Sequence, residues 1–302
     1  MRIVVSGGSG FLGRALTGAL RAAGHQVMVL TRRPGRKGDL LWSPDTGAGA
    51  WAVAVQAADV VINLAGEGIA DERWSPARKE AILRSRVHAT RAIANVIREA
   101  VRPAVFVSGS AIGIYGHRGD DLLTEADPPG SDFLSHVCVA WETEAKAVAD
   151  VTRVVLLRTG IVLGREGGAL PRMALPFRFF AGGPVGSGRQ FMSWVHLDDW
   201  VALVMWAMEQ SALAGPLNLT APEPVRNVEF ARELGHALGR PSFMPAPAFA
   251  LRLALGELAD TALLSSQRVL PTIAARSGFE FRYPGLRDAL QSIYGSQAVR
   301  TA

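Results

Sequence analysis

Cysteine is nearly absent: Cys138 is the single one in 302 residues. No disulfide can close within the chain, and no cysteine-based metal site can be assembled. One thiol suits a reducing compartment. Lysine is almost as scarce. Lys37, Lys79 and Lys146 stand among 32 basic residues, so arginine supplies nearly all the positive charge. Against 27 acidic residues the formal net charge is +5. The arginines form no cluster with aromatics of the kind that grips nucleic acid, so no nucleic-acid partner is expected. No apolar run nears the roughly 18 residues that span a bilayer; Val154-Val155-Leu156-Leu157 is stopped by Arg158. Met1-Arg2 leads directly into Ile3-Val4-Val5, without a secretory signal pattern. These absences lead to the expectation of a cytoplasmic protein with no membrane partner and no metal.

What is present is an ordinary globular composition, 49% hydrophobic and 20% charged. At about 150 residues per domain, the length allows one large domain or two modest ones. Apolar β-branched runs alternate with helical patterns. Strands are expected at residues 2–6, 26–31, 59–64, 104–108 and 153–158. Helices are expected at 11–23, from Ser75-Pro76 to 100, and from Ser131-Asp132 to about 149. Such alternation builds a parallel sheet covered on both faces. The expected class is α/β, a Rossmann-like doubly wound parallel sheet with a smaller C-terminal substrate and helical region. Gly and Pro concentrate between 164 and 188, so cleft segments are expected mainly after 160. Pro245-Ala246-Pro247 marks the expected boundary between a domain at 1–245 and a small one at 246–297.

The most specific local pattern is Ser6-Gly7-Gly8-Ser9-Gly10-Phe11-Leu12-Gly13, between an expected strand and an expected helix. In that context glycines allow a tight turn, close approach of backbone N–H groups to a pyrophosphate, and packing of the helix on the strand. Gly7, Ser9, Gly10, Phe11, Leu12 and Gly13 are therefore candidate dinucleotide contacts. The end of the second strand chooses the cofactor. An acid there binds a ribose 2′-hydroxyl; this chain has Thr31-Arg32-Arg33 and no acid until Asp39. Guanidinium groups hold a 2′-phosphate through charge-assisted bonds, which favours NADP(H).

Further stretches belong with these: Asn63-Leu64-Ala65-Gly66-Glu67 with Arg73-Trp74, Ser85-Arg86 and Thr90; Val107-Ser108-Gly109-Ser110-Ala111; Tyr115 to Asp120 with Thr124-Glu125; Asp132-Phe133-Leu134 with Cys138 and Trp141-Glu142; Leu157-Arg158-Thr159-Gly160; and Trp194 to Asp199. The set resembles the extended short-chain dehydrogenase/reductase superfamily, within it the NAD-dependent epimerase/dehydratase group. More closely it resembles the atypical branch called epimerase family proteins. The tail Leu264 to Pro271 with Gly278 to Phe281 is similar to that branch's small C-terminal domain of unknown function. The resemblance implies that Leu64, Ala65, Gly66, Arg86 and Ser108 contact the cofactor. It also matches Ser110 to the family serine that hydrogen-bonds a substrate oxygen.

The superfamily's usual catalyst is Tyr-x-x-x-Lys, a phenol and an ammonium on one helix face. No such pair exists here: Gly119, Arg287 and Ala298 follow Tyr115, Tyr283 and Tyr294 by four. The corresponding helix reads Ser135-His136-Val137-Cys138-Val139-Ala140-Trp141-Glu142. Ser110 and His136 are left as the catalytic candidates, the latter able to move a proton near neutral pH. Glu67, Tyr115 and Arg189 are candidate substrate contacts. His196 with Asp198-Asp199 reads as a scaffold opening a helix. The expected function is an NADP(H)-binding oxidoreductase or epimerase-like enzyme for a small carbonyl or hydroxyl substrate. The alternative is a non-catalytic NADPH-responsive binding protein.

Overall fold

The computed structural model describes residues 1–45, 49–101 and 103–295. In chain order the elements are β1 (Arg2–Ser6), α1 (Phe11–Ala22), β2 (Gln26–Thr31), β3 (Asp39–Leu41), α2 (Ala50–Ala57), β4 (Val60–Asn63), α3 (Pro76–Arg98) and β5 (Val105–Ala111). Then come β6 (Leu122–Leu123), α4 (Phe133–Lys146), β7 (Arg153–Thr159), β8 (Ile161–Leu163), α5 (Leu170–Arg178), β9 (Phe191–Met192), β10 (Trp194–His196) and α6 (Leu197–Glu209). The last are β11 (Gly215–Leu219), β12 (Val225–Arg226), α7 (Asn227–Leu238), α8 (Ala248–Leu255), β13 (Arg268–Val269), α9 (Thr272–Arg276) and α10 (Leu286–Tyr294). The chain forms two compact units. One comprises Met1–Ala111, His136–Arg158 and Val201–Leu217; the other comprises Ile112–Ser135, Thr159–Trp200 and the chain from Asn218 onward.

The first unit is built on a seven-stranded sheet of order β11-β7-β5-β4-β1-β2-β3. The pairings of β1 with β2 and β4, of β2 with β3, and of β4 with β5 are all parallel. This is the doubly wound arrangement expected from the alternation of strands and helices. Strand order reverses between β1 and β4, the switch point at which open α/β sheets bind ligands. The central strands are apolar throughout because both faces are covered: Ile3, Val4 and Val5 are all buried. Val4, Val61 and Phe106 stand opposite one another in register. They share a core with Trp51 and Val55 of α2, Ile93 and Ile97 of α3, and Val148. α3 starts where Ser75 accepts a bond from the Arg78 N–H at 3.1 Å and Pro76 supplies the preset φ.

The second unit holds three two-stranded pairs: β8 with β10, β9 with β12, and β6 with β13. Its core gathers Leu163, Leu170, Phe177, Trp194, Phe230, Leu290 and Tyr294. α6 opens with Asp198 and Asp199 in its first turn, as the sequence suggests. α8 begins at Ala248, directly after Pro247. Residues 247–295 are built into this unit. Arg268 and Val269 pair with Leu122 and Leu123, and α10 supplies Leu286, Ala289, Leu290, Ile293 and Tyr294 to the core.

Candidate functional site

The β1–α1 turn is shaped by backbone crowding. Gly7 has φ +71°, and a Cβ there would lie 2.5 Å from the Leu64 carbonyl oxygen. A Cβ on Gly13 would lie 2.2 Å from the Gly7 carbonyl oxygen. No side chain can occupy either position without moving backbone. The Gly10 N–H donates to the Gly7 carbonyl at 3.1 Å, closing the turn. α1 then begins at Phe11 after Gly10 as N-cap, with no side-chain cap and no acid in its first turn. Its first N–H groups and positive dipole end are left to an external anion.

Next to this turn, β4 delivers Asn63 to a buried position. Its side chain accepts from the Ser6 hydroxyl and the Ala65 N–H, and donates to Thr90 at 2.8 Å. Leu64, Ala65 and Gly66 therefore leave the sheet along a fixed path beside Gly7. Arg86 of α3 lies against Gly66: a Cβ there would come within 3.1 Å of its Cζ. The guanidinium sits 5.3 Å from the Trp141 ring centroid and donates to the Ile82 carbonyl at 3.1 Å. Burial lowers its pKa from the usual arginine value. The structure thus brings Gly7, Gly10, Gly13, Leu64, Ala65, Gly66 and Arg86 around the ends of β1 and β4.

At the end of β2, Thr31 is half-buried, while Arg32 and Arg33 are exposed. The nearest acid is otherwise engaged. Asp39 accepts the Gly35 and Arg36 N–H groups at 3.0 and 2.9 Å, tying down its own loop. Both bonds fall on Oδ2, and in the β2–β3 pairing Asp39 stands opposite Val29, two residues before the strand end where a ribose hydroxyl would be met.

A second polar group lies at the end of β5. Ser108 is fully buried. The Ser110 hydroxyl donates to Glu142 Oε1 at 2.8 Å. Arg158 binds the same carboxylate through Nε at 2.8 Å and a terminal nitrogen at 3.1 Å, and Lys146 approaches at 3.4 Å. Glu142 and Arg158 are 1% and 6% exposed. Desolvation pushes the Glu142 carboxyl up. The hydrogen bond and charge of Arg158, with Ser110 and Lys146, outweigh it and hold the group below the usual range. Cys138, one turn earlier, is buried, and desolvation pushes its thiol up to about 12. The cysteine is thus a protonated core group. Cys138 and Glu142 keep the i, i+4 spacing of the missing tyrosine and lysine, but with opposite electrostatics.

Two sequence expectations need correction. His136 does not join Ser110. It is exposed, and at 3.6 residues per turn it lies about 120° around α4 from Glu142 and about 160° from Cys138. Tyr115 is not free to meet a substrate: it is fully buried in the second unit, and its hydroxyl donates to Asn218 Oδ1 at 2.7 Å. The buried phenol satisfies its polar tip internally. Glu67 is partly exposed and is paired with Arg78 at 2.8 Å. Arg189 is exposed and belongs to the second unit. His196 acts as scaffold there. Its Nδ1 accepts the Asp198 N–H at 3.1 Å and its Nε2 meets Ser292 at 3.2 Å, while Asp199 accepts the Arg282 and Tyr283 N–H groups. Sequence reasoning missed Arg158 as the partner of Glu142. Its signal was a charge at the end of an otherwise apolar strand. Among the described residues no group of His, Cys, Asp and Glu could hold a metal ion. No helix among the described residues is long and apolar enough to cross a membrane.

Comparison with known proteins agrees with this geometry. The chain is 43% identical to an Arabidopsis thaliana chloroplastic homologue of the epimerase family protein SDR39U1, over 97% of this chain and 86% of that one. It is 41% identical to the epimerase family protein Mb2239 of Mycobacterium bovis, over 95% of this chain and 96% of that one. A crystal structure of human epimerase family protein SDR39U1 with NADPH superposes with a TM-score of 0.90 at 36% identity, covering 98% of this chain and 99% of that one. The C-terminal residues 246–293 match a domain of unknown function, DUF1731. Residues 3–219 match the model of the NAD dependent epimerase/dehydratase family, and the chain belongs to that family.

Proposed function

We propose that the protein is an NADP(H)-dependent oxidoreductase or epimerase-like enzyme for a small carbonyl or hydroxyl substrate. The carrying observation is the end of β2, where Thr31, Arg32 and Arg33 stand and no acid does, Asp39 lying further back opposite Val29. The turn fits a dinucleotide: Gly7 and Gly13 leave room where a side chain would collide with backbone, and the α1 N-terminus is uncapped. The turn residues Gly7, Ser9, Gly10, Phe11, Leu12 and Gly13 would hold the pyrophosphate, and Arg32 or Arg33 the 2′-phosphate. Leu64, Ala65, Gly66, Arg86 and Ser108 would line the rest. The nicotinamide supplies hydride chemistry when bound. A cytoplasmic location is part of this reading, since a single buried thiol suits reducing conditions.

Ser110 is the residue we assign to the substrate oxygen. Because its proton goes to Glu142, it offers lone pairs to a substrate hydroxyl. Arg158 keeps that carboxylate ionised, so the Ser110 orientation is fixed. Neither Glu142 nor Cys138 titrates near neutral pH, so the proton of a hydride transfer would be exchanged with water. That shortage of acid–base groups favours a second reading, an NADPH-responsive binding protein that does not turn over.

Calorimetry with NADPH and NADH tests the cofactor assignment. Charge-assisted hydrogen bonds contribute about 1.5–3 kcal/mol, so NADPH should bind about ten- to hundredfold more tightly. Arg32→Ala with Arg33→Ala should remove the preference; equal binding in the parent chain refutes it. A metabolite screen following NADPH absorbance, with Ser110→Ala and His136→Ala as controls, decides between the two readings. Turnover lost with Ser110→Ala supports the enzyme. Tight NADPH binding without turnover supports the sensor.

A further inference from the structure

The second unit turns an apolar surface to solvent. α8 reads Ala-Phe-Ala-Leu-Arg-Leu-Ala-Leu, yet every residue of it is half-buried or exposed. A helix apolar on nearly all sides normally lies inside a core. Phe249 and Leu253 are one turn apart on one face of it, 73% and 77% exposed. The end of α5 adds Leu175, Phe179 and Phe180, and the chain after α7 adds Phe243 and Met244, all exposed. Backbone bonds zip these segments together. The Met244 N–H donates to the Gly182 carbonyl at 3.0 Å, the Ala246 N–H to the Pro184 carbonyl at 2.9 Å, and the Gly186 N–H to the Ala246 carbonyl at 2.9 Å. Arg240 reaches across, its Cζ 4.7 Å from the Phe180 ring centroid. α8 follows at once, with the Ala248 Cβ 3.9 Å from where a Cβ on Gly186 would stand.

Phe180 is a residue that stability does not explain. Its φ is +60°, in the left-handed region. It follows Phe179, the C-cap of α5. The Phe180 N–H donates to the Phe177 carbonyl and the Ala181 N–H to the Pro176 carbonyl, both at 2.9 Å. This is the helix-ending turn that glycine favours. α7 ends in that way, on Gly239 at φ +62°. On α5 the same conformation is imposed on a bulky ring that lies in solvent. Strain retained where the fold gains no burial is a mark of a binding surface.

We propose that this face is a self-association surface, covered by the same face of a second copy of the chain. Its seven large apolar side chains expose on the order of 800 Å² together, at about 150–250 Å² for a whole aromatic side chain. The largest apolar patch on a typical monomer is about 300–600 Å², whereas each partner in a standard interface buries about 800 Å². The composition agrees. Segments 170–188 and 239–256 hold phenylalanine, methionine and arginine, with no lysine and no acid. That is the enrichment and depletion found at the centre of protein interfaces. A two-fold axis sets a patch against itself, so its charges must tolerate their own copies. Arg252 is paired with Asp260 at 2.9 Å, and Arg240 is spread over the Phe180 ring.

The test is sedimentation velocity of the full chain over a wide concentration range, with thermal melting of each variant. The expected result is a dimer. Phe249→Glu with Leu253→Glu should weaken it about a hundredfold or more, as loss of central anchors does. The monomer should melt unchanged, because both side chains are exposed in it. Phe180→Gly should weaken the dimer about tenfold while the monomer melts at the same or a higher temperature, since the strained turn is relieved. A role in folding alone would instead lower the melting temperature. A chain monomeric at every concentration overturns the proposal, as does a dimer indifferent to all these substitutions. A monomer that floats with phosphatidylglycerol vesicles, and ceases to with Phe249→Glu and Leu253→Glu, also overturns it by giving the face to lipid.

Discussion

Glu142 is a buried carboxylate whose charge is matched by Arg158 rather than removed by protonation. Removing one partner of such a pair leaves the other desolvated and alone, at a cost of about 3–5 kcal/mol. Glu142→Gln should lower stability by up to that amount, measured by urea denaturation at pH 7. The pH dependence has a definite sign. The folded-state pKa is depressed, so the Glu142 contribution is fully present above the usual carboxylate value of about 4.3. It is lost as pH falls through the lower folded-state value. The gap between the parent chain and Glu142→Gln should therefore close as thermal melts are taken below about pH 4. A constant gap would mean that Glu142 is not ionised in the native protein. None of this pairing was readable from residue types. Glu142 and Arg158 are 16 positions apart and on different elements. Only the fold shows that the serine meets a glutamate and that His136 points elsewhere. Tyr115 was misread for the same reason: its partner Asn218 lies 103 residues away.

The β1–α1 turn was the most legible part of the chain. A local constraint wrote it, since Gly7 and Gly13 crowd backbone within a few residues. Gly13→Ala should destabilise the protein by about 1–3 kcal/mol, as overpacking does. It should also abolish measurable NADPH binding, read by thermal melting and calorimetry together. Retained affinity would show that the turn is not where the dinucleotide rests. The long strands and α1, α3 and α4 were similarly visible, because each carries its own periodicity, and Ser75 and Asp132 cap α3 and α4. The short elements were not. β3 is three residues long and lies at the sheet edge, half-buried or exposed, so it has no apolar run to betray it. β11 reads Gly-Pro-Leu-Asn-Leu, with breakers in place of β-formers. α2 is apolar almost throughout, a composition that periodicity alone does not separate from a strand.

Across the whole chain, neither unit is a continuous stretch of sequence. A chain ending at residue 245 would lack α10, and with it Leu286, Leu290, Ile293 and Tyr294 from the second core. It would also leave the Asp199 carboxylate without the Arg282 and Tyr283 N–H groups. Such a truncation should lose cooperative unfolding of the second unit, seen as rapid limited proteolysis at segments after residue 159. A protease-resistant product with a sharp melt would contradict this. Composition and element order were enough to give the architecture, yet interleaving of this kind leaves no trace in local pattern. It depends on pairings such as β6 with β13, which join residues 146 positions apart.

That pairing has a consequence for biosynthesis. At about 5–20 residues per second, a ribosome adds the partner of Leu122 roughly 7 to 30 seconds after Leu122 itself. Throughout that interval β6 is an unpaired edge on a nascent chain, open to pairing with a neighbour. Completion of the second unit is therefore tied to the last stage of translation, and premature termination would release a chain with an open strand.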